Sequence, residues 1–245
     1  MKGIILAAGR GTRLAPLTDF IPKCLLPVRG KPLAQHSVEA MVRAGIRDIC
    51  LVVRPDQASQ FALAFGDGSR LGCDLTLTFQ STAGGIADAM KAARSWSQSG
   101  DDDGDVMVLL GDTIYGHAFR QDAKSFDFKV HYAATIYAAY AEDPSWCAQL
   151  ERDNSLEVLN IHEKPSLLVS HEVVPGCYLY TSDVWERIDH LIPSERGELE
   201  ITDLNLSYLR DGLLEVISYV GEWTDAGTDM AAYQAAQHEP PGTDR

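Results

Sequence analysis

After Met1 and Lys2 the chain reads Gly3-Ile4-Ile5-Leu6-Ala7-Ala8-Gly9-Arg10-Gly11-Thr12-Arg13-Leu14, and soon afterwards Pro22-Lys23-Cys24-Leu25-Leu26-Pro27. An apolar strand runs straight into a glycine-rich turn that carries two arginines, and a lysine follows ten residues later. Small residues let the main chain approach a phosphate closely, and fixed cations neutralise its charge. The turn is therefore predicted to hold the triphosphate of a nucleotide.

Charge patterning agrees. Residues 1–35 hold six cations (Lys2, Arg10, Arg13, Lys23, Arg29, Lys31) and one acid, Asp19, within a chain of net charge −14. The other 210 residues carry 15 cations against 34 acids. A basic island on an acidic protein suits a small anionic ligand. A nucleic acid would need an extended basic face and would be repelled by the acidic remainder.

With 245 residues, 45% of them hydrophobic, the chain can bury a substantial core. No apolar run approaches the roughly 18 residues of a membrane span, so no membrane partner is expected. The N-terminus makes a poor signal peptide, because Arg10 and Arg13 interrupt its short apolar run. Five cysteines without a CxxC spacing support neither a disulfide framework nor a zinc site. A reduced, cytoplasmic setting is the simple expectation.

Strand and helix patterns alternate through the first half. Strands are predicted at 3–7, 48–53, 75–80 and 106–110, and helices at 32–44, 56–65 and 85–93. This order implies an α/β fold with a mostly parallel sheet and helices on both faces. Ligands of such sheets lie beyond the carboxyl ends of the strands, where residues 8–13, Gln80 and Asp112 fall. The second half is richer in strands, predicted at 129–140, 149–152, 156–162, 173–180 and 214–219. Helices are predicted near 182–191 and 202–210. The acids Asp101, Asp102, Asp103 and Asp105 read as a solvated loop rather than a metal site. The tail from Glu239 is expected to fray. His36 and His162 read as structural or surface residues, and Cys24 as a packing residue.

Two familiar phosphate motifs do not fit. The Walker loop needs Gly-x-x-x-x-Gly-Lys-Ser/Thr, which is absent. The dinucleotide fingerprint needs a third glycine where Leu14 stands, and an acid after a second strand.

The blocks at 6–13 and 22–27, with Gly111-Asp112-Thr113-Ile114-Tyr115, resemble the sugar-1-phosphate nucleotidyltransferases, and among them most nearly the glucose-1-phosphate thymidylyltransferases. Gly66-Asp67-Gly68-Ser69, Glu163-Lys164-Pro165, the run 193–203 and Trp223-Thr224-Asp225-Ala226-Gly227-Thr228 continue the likeness in order from Gly3 to Thr228. The resemblance implies a three-layer α/β/α Rossmann-like fold. Its mixed, mostly parallel central sheet would serve one domain, residues 1–238, with a flexible tail at 239–245. A nucleotide-binding half (about 1–115) would precede a β-richer sugar-phosphate-binding half (about 116–238). It implies transfer of a nucleotidyl group from a nucleoside triphosphate, dTTP or UTP favoured, to a sugar 1-phosphate, with release of pyrophosphate.

By the same resemblance, Arg13 and Lys23 hold the triphosphate, and Asp112 and Asp225 bind Mg²⁺. Lys164 neutralises the attacking sugar phosphate, completing the expected catalytic set. Ala7, Ala8, Gly9, Gly11 and Thr12 line the phosphates, Leu6 packs near the base, and Gln80 and the backbone of Gly85 read the pyrimidine edge. Ala148, Glu163, Val174, Tyr178 and Arg196 line the sugar side. Taken singly, each has a plainer explanation: Asp112 as a cap, Lys164 as a surface lysine, Arg196 and Glu198 as a local ion pair. Their joint order favours the functional one.

The chain departs from the thymidylyltransferase pattern at Ala8, usually glycine, and at Cys147-Ala148, usually Tyr-Gly. A methyl group beside the hexose points to an acceptor other than glucose 1-phosphate. The sequence shows no counterpart of the extra helical segment expected in longer members, so their effector site and tetramer are not carried over as expectations, and homo-oligomerisation is left open. Two alternatives stand beside the main reading. One is a cytidylyltransferase acting on a phosphonate, polyol phosphate or other phosphorylated acceptor; the other is a non-catalytic nucleotide-sugar sensor.

Overall fold

Four strands, β1 (Lys2–Leu6), β4 (Asp48–Val53), β5 (Asp74–Phe79) and β6 (Val106–Leu110), pair in parallel in the order β6-β1-β4-β5. The computed structural model that shows them describes residues 1–100, 104–116, 119 and 131–238. Side chains of a strand alternate between faces, and both faces of this sheet are covered. That is why β1, β4 and β6 read as nearly continuous apolar runs. Ile4, Leu6, Cys50, Val52, Val106 and Val108 face one core. Ile5, Ile49, Leu51, Val53, Met107 and Leu109 face the other.

Helices α1 (Leu33–Arg43) and α2 (Ala58–Phe65) cover the second face through Val38, Met41, Phe61 and Phe65. On the first face lie α3 (Ile86–Lys91), α5 (Val184–Asp189) and α6 (Ile201–Arg210), with Met90, Trp185, Leu204 and Tyr208 inside; α4 (Arg94–Ser97) is a single turn after α3. The expected three-layer α/β/α architecture results. No helix among the described residues is long and apolar enough to cross a membrane.

Beyond β6 the sheet turns antiparallel through β8 (Ala134–Tyr140), β9 (Ala148–Arg152), β10 (Val158–Glu163), β11 (Glu172–Val174) and β12 (Cys177–Tyr180), while β13 (Leu214–Ser218) runs parallel to β8. The single strand expected over 173–180 is two, interrupted at Pro175-Gly176. Both pieces pair with β8, but β11 then pairs with β9 whereas β12 pairs with β6. The sheet therefore forks. Gly176 sits at the fork with φ +84°, and a Cβ there would lie 2.4 Å from Leu110 Cδ1. Such a conformation belongs to glycine. The start of the strand expected from residue 129, the acids Asp101, Asp102 and Asp103, and the tail 239–245 lie outside the described residues. Asp105 is described; its carboxylate accepts from the Ser182 amide at 3.2 Å.

Elements absent from the sequence expectation tie the chain's ends together. A small hairpin, β2 (Pro27–Val28) with β3 (Lys31–Pro32), meets helix α7 (Met230–His238) through hydrogen bonds from Tyr233 and Gln237 side chains to the Pro27 carbonyl, and from Arg29 Nε to the Ala236 carbonyl. His36 is buried with Nε2 3.1 Å from the Val28 carbonyl, and burial lowers its pKa to about 4. It is a structural histidine. The two-stranded ribbon β7 (Thr113–Tyr115) and β14 (Trp223–Asp225) completes the join.

Gly176→Ala should force both the left-handed backbone strain and a clash with Leu110 on the protein. The expected loss is about 2 kcal/mol or more, read as a lower denaturation midpoint in urea. An unchanged midpoint would show that the fork tolerates a side chain.

Candidate active site

A cleft of about 600 Å³ opens where the carboxyl ends of β1 and β6 meet the fork, within the size range of small-molecule sites. Its floor follows from the ribbon. Asp225 pairs across from Thr113, and the Ala226 amide donates to the Asp112 carbonyl at 3.1 Å. Asp112 and Asp225, distant in the sequence, are thus brought to neighbouring positions by the two strands. The Ser37 hydroxyl, facing the carbonyls of Leu110 (3.0 Å) and Thr113 (3.3 Å), fastens this turn to α1.

Lys23 reaches into the same spot from the 3-10 turn Lys23–Leu25 and forms an ion pair with the Asp112 carboxylate. Burial works against the charge on Lys23, but the Asp112 carboxylate outweighs it, with help from Asp225, and holds the ammonium above the ordinary lysine range. Burial, and next the neighbouring charge of Asp112, raise the Asp225 pKa, with Lys23 opposing. Two carboxylates and one ammonium leave an excess negative charge that a hard cation with oxygen ligands fits. Glycines make room for the group. A Cβ on Gly227 would lie 2.6 Å from Asp112 Oδ2 and 2.9 Å from Lys23 Nζ, and one on Gly11 2.8 Å from Lys23 Cβ.

The glycine-rich turn forms the wall beside this lysine, and Leu6, Ala8, Gly9, Gly11, Thr12 and Arg13 all line the cleft. Ala7 does not. It is buried, and its amide donates to the Val52 carbonyl at 2.8 Å, because parallel pairing with β4 continues one residue past the strand end. The Arg13 guanidinium stacks 4.6 Å from the centre of the Trp146 ring and donates to the Thr228 carbonyl at 3.3 Å. Trp146 belongs to no sequence motif, although it directly precedes the divergent Cys147-Ala148.

On one flank, Gln80 Nε2 donates to Asp88 Oδ2 (2.8 Å) and to the Gly85 carbonyl (3.2 Å). Gly85 has φ +95°, and a Cβ there would meet the Leu199 carbonyl at 2.6 Å. The Leu199 amide bonds the Gly84 carbonyl at 2.7 Å, which stitches this flank to the 198–200 segment.

On the opposite flank, register places Ala148 between Glu163 and Val174, with Tyr178 buried beneath. Thr202 Oγ1 donates to Glu163 Oε2 at 2.5 Å, and Lys164 Nζ lies 2.9 Å from Glu163 Oε1. Burial would raise the Glu163 pKa, but Lys164, the Thr202 hydrogen bond and Arg196 together lower it. Lys164 is a non-glycine residue at φ +42°, a strained state that clusters at functional sites. Arg196 does not line the cleft; its Nη2 is 2.8 Å from Glu200 Oε1 and 3.5 Å from Glu163 Oε1, so it braces the acids behind the wall. Glu200, unflagged by sequence as an individual residue, is the anchor of that brace. Burial pushes the Cys24 and Cys147 thiols up to about 12, so neither serves as a nucleophile near neutral pH.

Comparison with known proteins points the same way. The profile of the family described as nucleotidyl transferase matches residues 2–240. A glucose-1-phosphate thymidylyltransferase of Neisseria gonorrhoeae is 38% identical over 239 residues, 96% of this chain and 81% of that protein. One from Mycolicibacterium smegmatis is 38% identical over 231 residues, 93% of this chain and 78% of that protein. A Bacillus anthracis structure named as a glucose-1-phosphate thymidylyltransferase, in complex with sucrose, superposes with TM-score 0.88 at 35% identity, covering 97% of this chain and 94% of that one. A UDP-glucose pyrophosphorylase bound to UDP-glucose shares the fold, with TM-score 0.79 at 23% identity over 96% of each chain.

Gly227→Ala would place a methyl carbon 2.8 Å from Asp112 Cβ as well as against the ends of Asp112 and Lys23, so it should disturb the ion pair and strain the cleft floor together. Affinity for inorganic tripolyphosphate, measured by calorimetry on the folded protein, is expected to fall about tenfold or more, with a lowered thermal midpoint. Undiminished affinity would remove Lys23 from the anion site.

Proposed function

The chain belongs to the nucleotidyl transferase family, and from that premise we propose that it couples a pyrimidine nucleoside triphosphate, dTTP or UTP, to a sugar 1-phosphate. The observation that carries this is the joining of Lys23, Asp112 and Asp225 beneath a glycine-rich turn, with Lys164 on the opposite flank of the same cleft. An oxygen of the sugar phosphate attacks the α-phosphorus; the new oxygen–phosphorus bond forms as the bond to the departing pyrophosphate breaks.

The nucleophile is already an oxyanion near neutral pH, so no general base is required. The protein's work is to position two mutually repelling anions and to neutralise them. Arg13 and Lys23 serve the triphosphate, and Lys164, steadied by Glu163, serves the acceptor. Asp112 and Asp225 would hold Mg²⁺, which when bound offsets charge on the reacting phosphates. Gln80 and the Gly85 backbone face the base, with Leu6 near it. Ala148, Glu163, Val174 and Tyr178 shape the acceptor side, and Arg196 orients its acids. The Ala148 methyl group and the Trp146 ring favour a sugar 1-phosphate other than glucose 1-phosphate. Residues 1–238 act as one domain, because both ends contribute to one site.

A pyrophosphate-release screen of each nucleoside triphosphate against sugar phosphates tests the reading. Turnover with dTTP or UTP and a hexose 1-phosphate is expected. Turnover confined to CTP and a polyol phosphate or phosphonate would overturn the substrate assignment, and tight nucleotide-sugar binding without turnover would make the protein a sensor.

Lys23→Ala should lower turnover roughly 10²-fold or more. Asp225→Asn should abolish Mg²⁺-dependent turnover while circular dichroism and the thermal midpoint stay close to those of the parent. Near-normal rates in either variant would move the chemistry elsewhere.

A further inference from the structure

We infer that Asp88, which does not line the cleft, sets the choice of base by fixing the orientation of the Gln80 side-chain amide. This rests on the proposal that Gln80 faces the base. A glutamine head can present either its NH₂ or its oxygen to a ligand, and the two recognise opposite hydrogen-bonding partners. Here the choice is made by the protein. Both hydrogens of Gln80 Nε2 have acceptors within the protein, Asp88 Oδ2 at 2.8 Å and the Gly85 carbonyl at 3.2 Å. Gln80 Oε1 takes no hydrogen bond among the described residues, while Gln80 lines the cleft.

An ionised carboxylate can only accept, so Asp88 admits the NH₂ and rejects the oxygen. Gly84 completes the device. A Cβ on that residue would lie 2.6 Å from the Asp88 carboxylate, so its missing side chain is what lets the acid approach Gln80.

An acceptor facing the base edge selects a ring N–H. Uracil and thymine carry an imide N3–H there; cytosine carries a lone pair at N3, which Gln80 Oε1 would repel. Asp88 thus acts as a positioning residue that makes the site one for imide pyrimidines. A plainer role is open to it as an acid in the first turn of α3, favoured by the helix dipole. That role would move stability and leave the base ratio alone.

The test is the ratio of kcat/KM for UTP to that for CTP with one sugar 1-phosphate, in the parent, Asp88→Asn and Gln80→Ala. Asparagine matches aspartate in shape but can donate as well as accept, so it tolerates both orientations of Gln80. Asp88→Asn is expected to lower the UTP:CTP ratio about tenfold with a nearly unchanged thermal midpoint, and to have no further effect on the ratio in a Gln80→Ala background. If Gln80→Ala changes the ratio and Asp88→Asn does not, the role of Asp88 is overturned and the base reading survives. If neither changes it, the reading of Gln80 falls as well. Should Asp88→Asn fail to fold, Asp88→Ser removes the carboxylate and is measured by the same ratio.

Discussion

The ion pair of Lys23 with Asp112 at the cleft floor, with Asp225 close by, governs how the rest of this protein is built. Removing like-charged carboxylates from water costs several kcal/mol each unless a cation compensates. Lys23 is supplied from near the start of the sequence, Asp112 from its middle and Asp225 from its last part. The ribbon of β7 and β14, the Ser37 clamp on the turn, and the clasp of α7 on the N-terminal hairpin all hold these three charges in register. Glycines at 11 and 227 give the space in which the pair can close.

The fork in the sheet is the second constraint, since it opens the cleft in which the charges act. At Gly176 one strand direction serves two partners, β9 on one side of the break and β6 on the other. The gap between them carries the acceptor flank on β9 and β10 and leaves the phosphate turn on the far side. Contacts among the described residues join its flanks, including Arg13 against Trp146 and the hydrogen bonds of Leu199 with Gly84 and Ala87. The flanks of the cleft are therefore mechanically linked before any ligand arrives.

Much of this was legible in the residue order. Strands buried on both faces have to be apolar throughout, so β1, β4 and β6 announced themselves, and the glycine-rich turn followed from its place after β1. Asp112, Asp225, Lys23 and Lys164 stood out through the order of their motifs, and the structure brings them to one cleft. The ribbon and the fork were not legible. Strands of three residues have no period to detect, and a break at Pro175-Gly176 between two strong β segments looks like continuity until pairing partners are known. Ala7 shows the same limit from another side, because whether an amide faces a ligand or a neighbouring strand depends on register. Trp146 and Asp88 lie outside every quoted motif, and only proximity in space connects them to Arg13 and Gln80.

The meeting of the chain's ends has a bearing on biosynthesis. A ribosome makes the phosphate turn, Lys23 and Asp112 early, but the second acid comes at residue 225, close to the last residues of the described structure. On the proposed chemistry, a nascent or prematurely terminated polypeptide can expose the turn yet has no complete seat for the reacting phosphates. Truncated translation products would consume no nucleotide, and a cell would gain the activity only with molecules whose synthesis has passed Asp225.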